Sequence, residues 1–223
     1  MPHSASGDLL ADIRARLYTA VLSDVLDELG FRRQAMAPCV RPLDDELVLA
    51  GYARTGLYRE VYHVAPDENP YELEIALVDD LRRDEIAVLG CAGSMRIAPW
   101  GELLSTAARA RGAADCVTDG FVRDIRAIRA MRFPVHHGGI APLDSKGRGK
   151  VAAIDVPIEC AGVAVAPGDL VVGDADGVVV VPREIQDKAL ARAFEKVSGE
   201  DRTRAELVAG AKLSEVFEKY RIL

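Results

Sequence analysis

Between Asp8 and Gly30, apolar residues fall at Leu9, Leu10, Ile13, Leu17, Val21, Leu22, Val25, Leu26 and Leu29, the ~3.6-residue period of a helix with one buried face. Gly30 is a stop signal and Ser23-Asp24 a candidate internal restart, so the stretch reads as one helix or two. The alternating apolar, Gly and Thr content from Leu47 to Tyr62 predicts two strands. Asn69-Pro70 pairs an N-cap residue with proline at the first helical position, which starts a helix running to about Leu81. Glu85–Gly90 is a short apolar run between turn signals, the pattern of a buried strand. Leu103, Leu104, Ala107 and Ala108 share one face of a helix from Gly101 to Arg111, closed by Gly112. A strand over Ala114–Thr118, a turn at Asp119-Gly120, a helix over Arg123–Met131 and a strand over Phe133–His136 follow. Strands alternating with helices at this spacing make βαβ units and a parallel sheet.

The texture changes after Gly149. Val151–Pro182 is rich in Val, Ile, Gly and Pro, with turns at Pro167-Gly168-Asp169 and at Asp174-Ala175-Asp176-Gly177, and predicts short strands and hairpins. Two charged amphipathic helices close the chain, Arg183–Gly199 and Asp201–Tyr220. Their apolar stripe (Leu190, Phe194, Val197, then Leu207, Val208, Leu213, Val216, Phe217) must be covered by the chain's own sheet or by a neighbour. No linker, low-complexity tract or internal repeat divides the sequence. Residues 1–223 therefore read as one α/β domain, with residues 183–223 as a C-terminal helical arm.

Composition narrows the function classes. The 223 residues suffice for a real core. Lys+Arg 28 against Asp+Glu 35 gives a net charge of −7, which lacks the electrostatic footprint of a nucleic-acid or anionic-membrane binder. Aromatics at 5% leave little for base stacking. Cys39, Cys91, Cys116 and Cys160 form no CxxC pair, the start Met1-Pro2-His3-Ser4 is no secretory signal, and no apolar run approaches the ~20 residues of a membrane span. The expectation is a cytoplasmic protein with free thiols.

The βαβ geometry singles out one region. The helix of such a unit runs antiparallel to its strands. The start of the Gly101 helix therefore lies at the same sheet edge as the end of the strand near Asp119, the carboxyl edge where ligands usually bind. The N–H groups of Glu102, Leu103 and Leu104 point outward there as an anion site. Arg123 and Asp124 arrive from the next turn, one a fork for a carboxylate, the other a hard ligand for a divalent cation such as Mg²⁺. Together they suit a small α-keto acid. Other features carry less. His136-His137 lacks a third ligand at a metal-site spacing. Asp174-Ala175-Asp176-Gly177 lacks the rest of a calcium loop. Lys146-Gly147-Arg148-Gly149-Lys150 lacks the phosphate-loop pattern, and no GxGxxG follows a strand.

The run Gly101-Glu102-Leu103-Leu104, Ala107-Ala108-x-x-Arg111-Gly112, Thr118-Asp119-Gly120-x-x-Arg123-Asp124 resembles the core motif of the RraA-like family. That family includes class II 4-hydroxy-4-methyl-2-oxoglutarate/4-carboxy-4-hydroxy-2-oxoadipate aldolases and regulators of ribonuclease E activity. Leu22-Ser23-Asp24-Val25-Leu26-Asp27 resembles its N-terminal helix, and Pro167 to Val178 its C-terminal β signature. The resemblance implies a swivelling β/β/α sandwich, assembled as a homotrimer or homohexamer with sites at subunit interfaces. It also implies a metal-dependent lyase that releases pyruvate from 4-hydroxy-2-oxo acids, with possible decarboxylation of oxaloacetate. Arg123 would bind the pyruvate unit, Asp124 would ligate Mg²⁺ or Mn²⁺, and the Gly101–Leu104 amides would hold the substrate carboxylate. Glu102 stands where Asp is usual in the family, and it or a metal-bound water would be the base. Glu200 resembles an acidic residue donated across the interface. The alternative within the family is a non-catalytic regulator of a ribonuclease.

Overall fold

The computed structural model describes residues 4–221, so Met1–His3, on which the absence of a leader was read, lie outside the described residues. The chain runs α1 (Ser4–Arg16), α2 (Thr19–Glu28), β1 (Arg41–Pro42), β2 (Leu49–Glu60), α3 (Glu72–Asp79), β3 (Glu85–Gly90), α4 (Glu102–Ala110), β4 (Asp115–Val122) and α5 (Ile125–Ala130). It continues through β5 (Val135–Ile140), β6 (Gly149–Ile154), β7 (Ile158–Cys160), β8 (Val163–Val165), β9 (Leu170–Asp174), β10 (Gly177–Val181), a 3₁₀ turn (Arg183–Ile185), α6 (Gln186–Val208) and α7 (Leu213–Tyr220). Eight strands form one sheet in the order β1-β5-β4-β3-β2-β9-β10, with β6 also paired to β2. β2 to β5 run parallel, as the βαβ spacing predicts; β1, β6, β9 and β10 join antiparallel.

Residue alternation along the strands sorts the core into layers. In β3, Ala87 and Leu89 face α3, α4 and α5, while Ile86 and Val88 face the other way. A second outer core joins Leu170, Val172, Val179 and Val181 to α1, α2 and α6. The inner face, carrying Val117, Val171, Val178 and Val180, is covered by the β7–β8 hairpin through Ile158, Cys160, Val163 and Val165. The sheet curls until its ends meet. Arg41 Nη1 donates to the Asp176 carbonyl at 2.9 Å, and His136 Nε2 lies 3.0 Å from the Asp174 carbonyl. Hairpin, nearly closed sheet and helices make up the expected β/β/α sandwich. Among the described residues no helix is long and apolar enough to cross a membrane.

Several elements differ from the sequence reading. The helix break falls at Leu17-Tyr18 rather than Ser23-Asp24, because the Asp174 carboxylate accepts Thr19 N at 2.8 Å and Thr19 Oγ1 at 2.7 Å and starts α2 there. The two strands predicted over Leu47–Tyr62 are one. Gly51 and Gly56 mark close packing within it: a Cβ would lie 2.5 Å from the Asp84 carbonyl at the first and 2.9 Å from Leu77 and Leu89 at the second. Asp119-Gly120 is an irregularity inside β4, and α5 starts at Ile125. The terminal helices divide at Gly210, with φ of 94°, and α6 runs unbroken through the buried Gly199. Tyr220 and Lys219 fold α7 back onto α6 by donating to Glu206.

His136 and His137 are packing residues of β5. Both rings are buried, and neither Nδ1 has a partner among the described residues. Burial holds both below the ordinary histidine range, His137 down to about 4. The unfolded chain then binds the extra proton between that value and ~6.5, so this stability is complete above ~6.5 and is lost as pH falls toward 4. The melting temperature of His137→Gln is expected to fall less than that of the wild type from about pH 7 to about pH 5; equal falls would remove His137 as the source.

Candidate active site

Strand β4 ends by delivering Arg123 and Asp124 beside the start of α4. Val122 bridges Trp100, and Arg123 N donates to the Trp100 carbonyl at 3.0 Å. Asp124 adopts φ 60° and ψ 29°, a left-handed conformation that Asp tolerates better than most residues, and swings the chain into α5. Its Oδ2 accepts Glu102 N at 3.3 Å and lies 3.6 Å from Arg123 Nε. Asp124 thus caps α4 from outside, because the N-cap residue, Gly101, has no side chain to do so. A Cβ on Gly101 would stand 2.7 Å from Asp124 Oδ2 and 3.2 Å from Arg123 Cγ. The extended φ of −154° suits any residue, so space alone requires glycine here.

The guanidinium is held from its far side as well. Arg123 Nη1 donates to the Leu143 carbonyl at 3.2 Å and lies 3.8 Å from Asp144 Oδ1. Asp144 Oδ2 accepts the Tyr71 hydroxyl at 2.7 Å. Deeper in, Glu74 Oε2 accepts the Tyr58 hydroxyl at 2.6 Å and Ser145 Oγ at 3.4 Å. Tyr71, Glu74, Gly101, Leu103, Leu104, Arg123 and Asp124 are among the residues lining a cavity of about 190 Å³. That volume is below the ~300–1,000 Å³ of sites for drug-sized ligands and suits a small organic acid. A wider hollow of about 740 Å³ opens on the other side of Arg123 and Asp124, against α5 and Ile140-Ala141-Pro142.

Burial, reinforced by the bond to Asp144, pushes the Tyr71 hydroxyl up to about 12. Burial also raises Glu74, outweighing the opposing bonds from Tyr58 and Ser145. For Asp144 burial acts upward too, but the Tyr71 hydroxyl, the Lys146 and Ser145 amides and the Arg123 charge together bring it below the usual carboxylate range.

The structure brings together Gly101, Leu103, Leu104, Arg123 and Asp124. Glu102 joins them only through its backbone amide: its Oε1 accepts Thr106 Oγ1 at 2.9 Å along the helix, and it is not among the cavity-lining residues. Glu200 lies on α6, where it accepts the Tyr18 hydroxyl, away from this chain's cavity. Tyr71, Glu74, Asp144 and Ser145 escaped the sequence reading. One signal was there: Glu74 sits on the stripe of Leu77 and Val78, a charge where an apolar residue is due.

Thr118, Asp119 and Gly120 of the spaced motif build the support. Asp119 accepts the amides of Cys91 at 2.5 Å, Gly93 at 3.0 Å and Ala161 at 3.3 Å. Thr118 Oγ1 donates to the Leu89 carbonyl at 2.9 Å, and a Cβ on Gly120 would meet Cys91 Sγ at 2.9 Å.

Among the described residues no three His, Cys, Asp or Glu side chains converge on a metal position. Asp124 is 48% exposed and offers carboxylate oxygens to a cation. This donor set fits a hard cation such as Mg²⁺ or Mn²⁺ that takes one or two carboxylates and keeps most of its water, and does not fit the closed nitrogen or sulfur shell of zinc.

A carboxyl-edge site between a capped helix start and an Arg-Asp strand end, on a nearly closed β/β/α sandwich, defines the class. Residues 19–180 match the RraA-like family model, described as Aldolase/RraA, and the chain belongs to that family. A Halalkalibacterium halodurans protein named "Putative 4-hydroxy-4-methyl-2-oxoglutarate aldolase" is 33% identical over 183 residues, 82% of this chain and 81% of that protein. Streptomyces coelicolor RraAS2, described as an unusual member of the RNase ES inhibitor RraA protein family, superposes with a TM-score of 0.78 at 29% identity, over 89% of this chain and 96% of that one. An uncharacterized protein from Pseudomonas syringae pv. tomato reaches 0.81 at 27% identity, over 94% of this chain and 96% of that one.

Proposed function

We propose that the protein is a divalent-metal-dependent lyase that cleaves 4-hydroxy-2-oxo acids such as 4-hydroxy-4-methyl-2-oxoglutarate to pyruvate, and that it decarboxylates oxaloacetate. One observation carries this reading: the Arg123 guanidinium, the Asp124 carboxylate and the start of α4 line one small cavity. The name of the Halalkalibacterium relative supports it. The Leu103 and Leu104 amides, which lack helical acceptors, hold the substrate carboxylate. Arg123, fixed by Leu143 and Asp144, faces the 2-oxo oxygen and neutralises the charge that develops there as the C–C bond breaks. Asp124 would hold Mg²⁺ or Mn²⁺, which when bound supplies Lewis acidity toward the 2-oxo group. Leu103 and Leu104 form part of the cavity wall.

The same reading has the protein act in the cytoplasm as a homotrimer or homohexamer, with Glu200 completing a neighbouring chain's site. It has neither nucleic acid nor membrane as a partner. The likeness to RraAS2 and the charge of −7 favour a second reading, a regulator that docks on a basic partner such as a ribonuclease. Pyruvate release from oxaloacetate and from 4-hydroxy-4-methyl-2-oxoglutarate, with Mg²⁺ and then with excess EDTA, separates the two. Release that EDTA abolishes is expected. No release with Mg²⁺ or with Mn²⁺ in its place overturns the lyase and leaves the regulator.

A further inference from the structure

We propose that Glu74 is the proton-transfer group of this site, taking the substrate's hydroxyl proton and returning it to the pyruvate carbon. The proposal rests on the lyase reading and assigns the base that reading leaves open. Glu102 is poorly placed for the task, since its carboxylate is bonded to Thr106 on the same helix and is not among the cavity-lining groups. Glu74 lines the cavity together with Arg123. Both of its protein hydrogen bonds, from Tyr58 and Ser145, fall on Oε2, which leaves Oε1 without a partner among the described residues. The carboxyl group sits on the stripe of Leu77 and Val78 on α3, anchored through one oxygen and with the other open to a ligand. Its surroundings suit proton exchange. Tyr58 from β2, Tyr71 at the start of its own helix, Cys91 after β3, and Asp144 and Arg123 from the loops opposite are the titratable groups acting on it. Burial raises its proton affinity above that of an ordinary glutamate, the direction a base working near neutrality requires.

The cycle balances on this one carboxyl. The Glu74 carboxylate takes the proton from the 4-hydroxyl, and that oxygen's pair forms the new carbonyl at C4. The C3–C4 bond breaks, and its pair moves through C3–C2 onto the 2-oxo oxygen beside Arg123, giving the pyruvate enolate. After the carbonyl product leaves, the Glu74 carboxyl gives its proton to C3. The C3–H bond forms, the 2-oxo group is restored, and Glu74 is again a carboxylate. No oxidant, reductant or net proton is needed.

The last step run backwards gives the test. Full-length protein with Mg²⁺ and pyruvate in D₂O is expected to exchange the pyruvate methyl protons, read as loss of the methyl signal by NMR. Glu74→Gln keeps the shape and an acceptor for Tyr58. It is expected to lower both exchange and aldol cleavage about 100-fold or more, the usual size of a general acid–base contribution, with the melting temperature and pyruvate affinity close to wild type. Exchange in this variant within twofold of wild type overturns the assignment and leaves the lyase standing. Wild-type protein that neither exchanges nor cleaves overturns the lyase, and the assignment with it. If Glu74→Gln shows no thermal transition, Glu74→Asp takes its place. Setting the carboxylate back by one methylene is expected to slow exchange at least several-fold with pyruvate affinity kept, and unchanged exchange overturns the proposal.

Discussion

Asp124→Ala is expected to abolish metal-dependent pyruvate release, a larger loss than any other single change at this site. Three tasks would end together: the cation proposed for this site would lose its carboxylate, the Glu102 amide loses its cap, and Arg123 loses a partner 3.6 Å away. The fold survives, because the side chain is 48% exposed at the end of a strand. Loss of a helix cap costs about 1 kcal/mol, and alanine tolerates the left-handed φ of 60° less well than aspartate. Asp124→Asn isolates the charge: it retains an acceptor for Glu102 N and tolerates the left-handed backbone. A near-wild-type melting temperature with pyruvate release down at least about 100-fold, the scale of a lost electrostatic contribution, is expected across a Mg²⁺ titration. Normal turnover of the alanine variant in excess chelator would take the metal away from this residue.

Arg123→Lys is the second large effect, and it is not a conservative change. The guanidinium is a planar fork that spans from Asp124 on one side to Leu143 and Asp144 on the other. An ammonium is a point charge on a flexible stem and cannot hold that span while presenting a second donor to substrate. The expected fall in kcat is about 100-fold or more, as for removal of a transition-state donor, with a smaller change in KM because the α4 amides proposed to hold the substrate carboxylate are untouched. Steady-state kinetics on oxaloacetate measures both. Near-normal values would make Arg123 a structural residue that ties β4 to the 143–144 loop.

The parts of this site that lie close in sequence were legible, and the parts that tertiary structure imports were not. Gly101 to Asp124 is one α4–β4 passage, so its spacing carried both the helix start and the Arg-Asp strand end. Tyr71 and Glu74 come from a helix two elements earlier, and Asp144 from a loop after β5; no local spacing links them to Arg123. The α2 start shows the same limit, since its capping carboxylate, Asp174, stands 155 residues away. Glycine misled the reading in both directions. The Gly-containing stretch from Leu47 to Tyr62 suggested two strands, but its Gly51 and Gly56 are demanded by neighbours on β3 and α3 within one strand, whereas Gly199 suggested a helix end and lies inside α6. For Gly51 and Gly56 the deciding contacts are distant along the chain.

β2 serves β3, β6 and β9 within twelve residues. It feeds Ala50 to one outer core, Tyr58 to the other, and Leu49 and Ala53 to the inner face. A chain divided inside this strand would leave raw edges on the parallel and the antiparallel side at once, each a template for pairing with another molecule. Split reporters and circular permutants of this scaffold must therefore place their new termini elsewhere. Residues 62–67, just past the strand and outside every ladder, are where the chain can be opened with the sheet left whole.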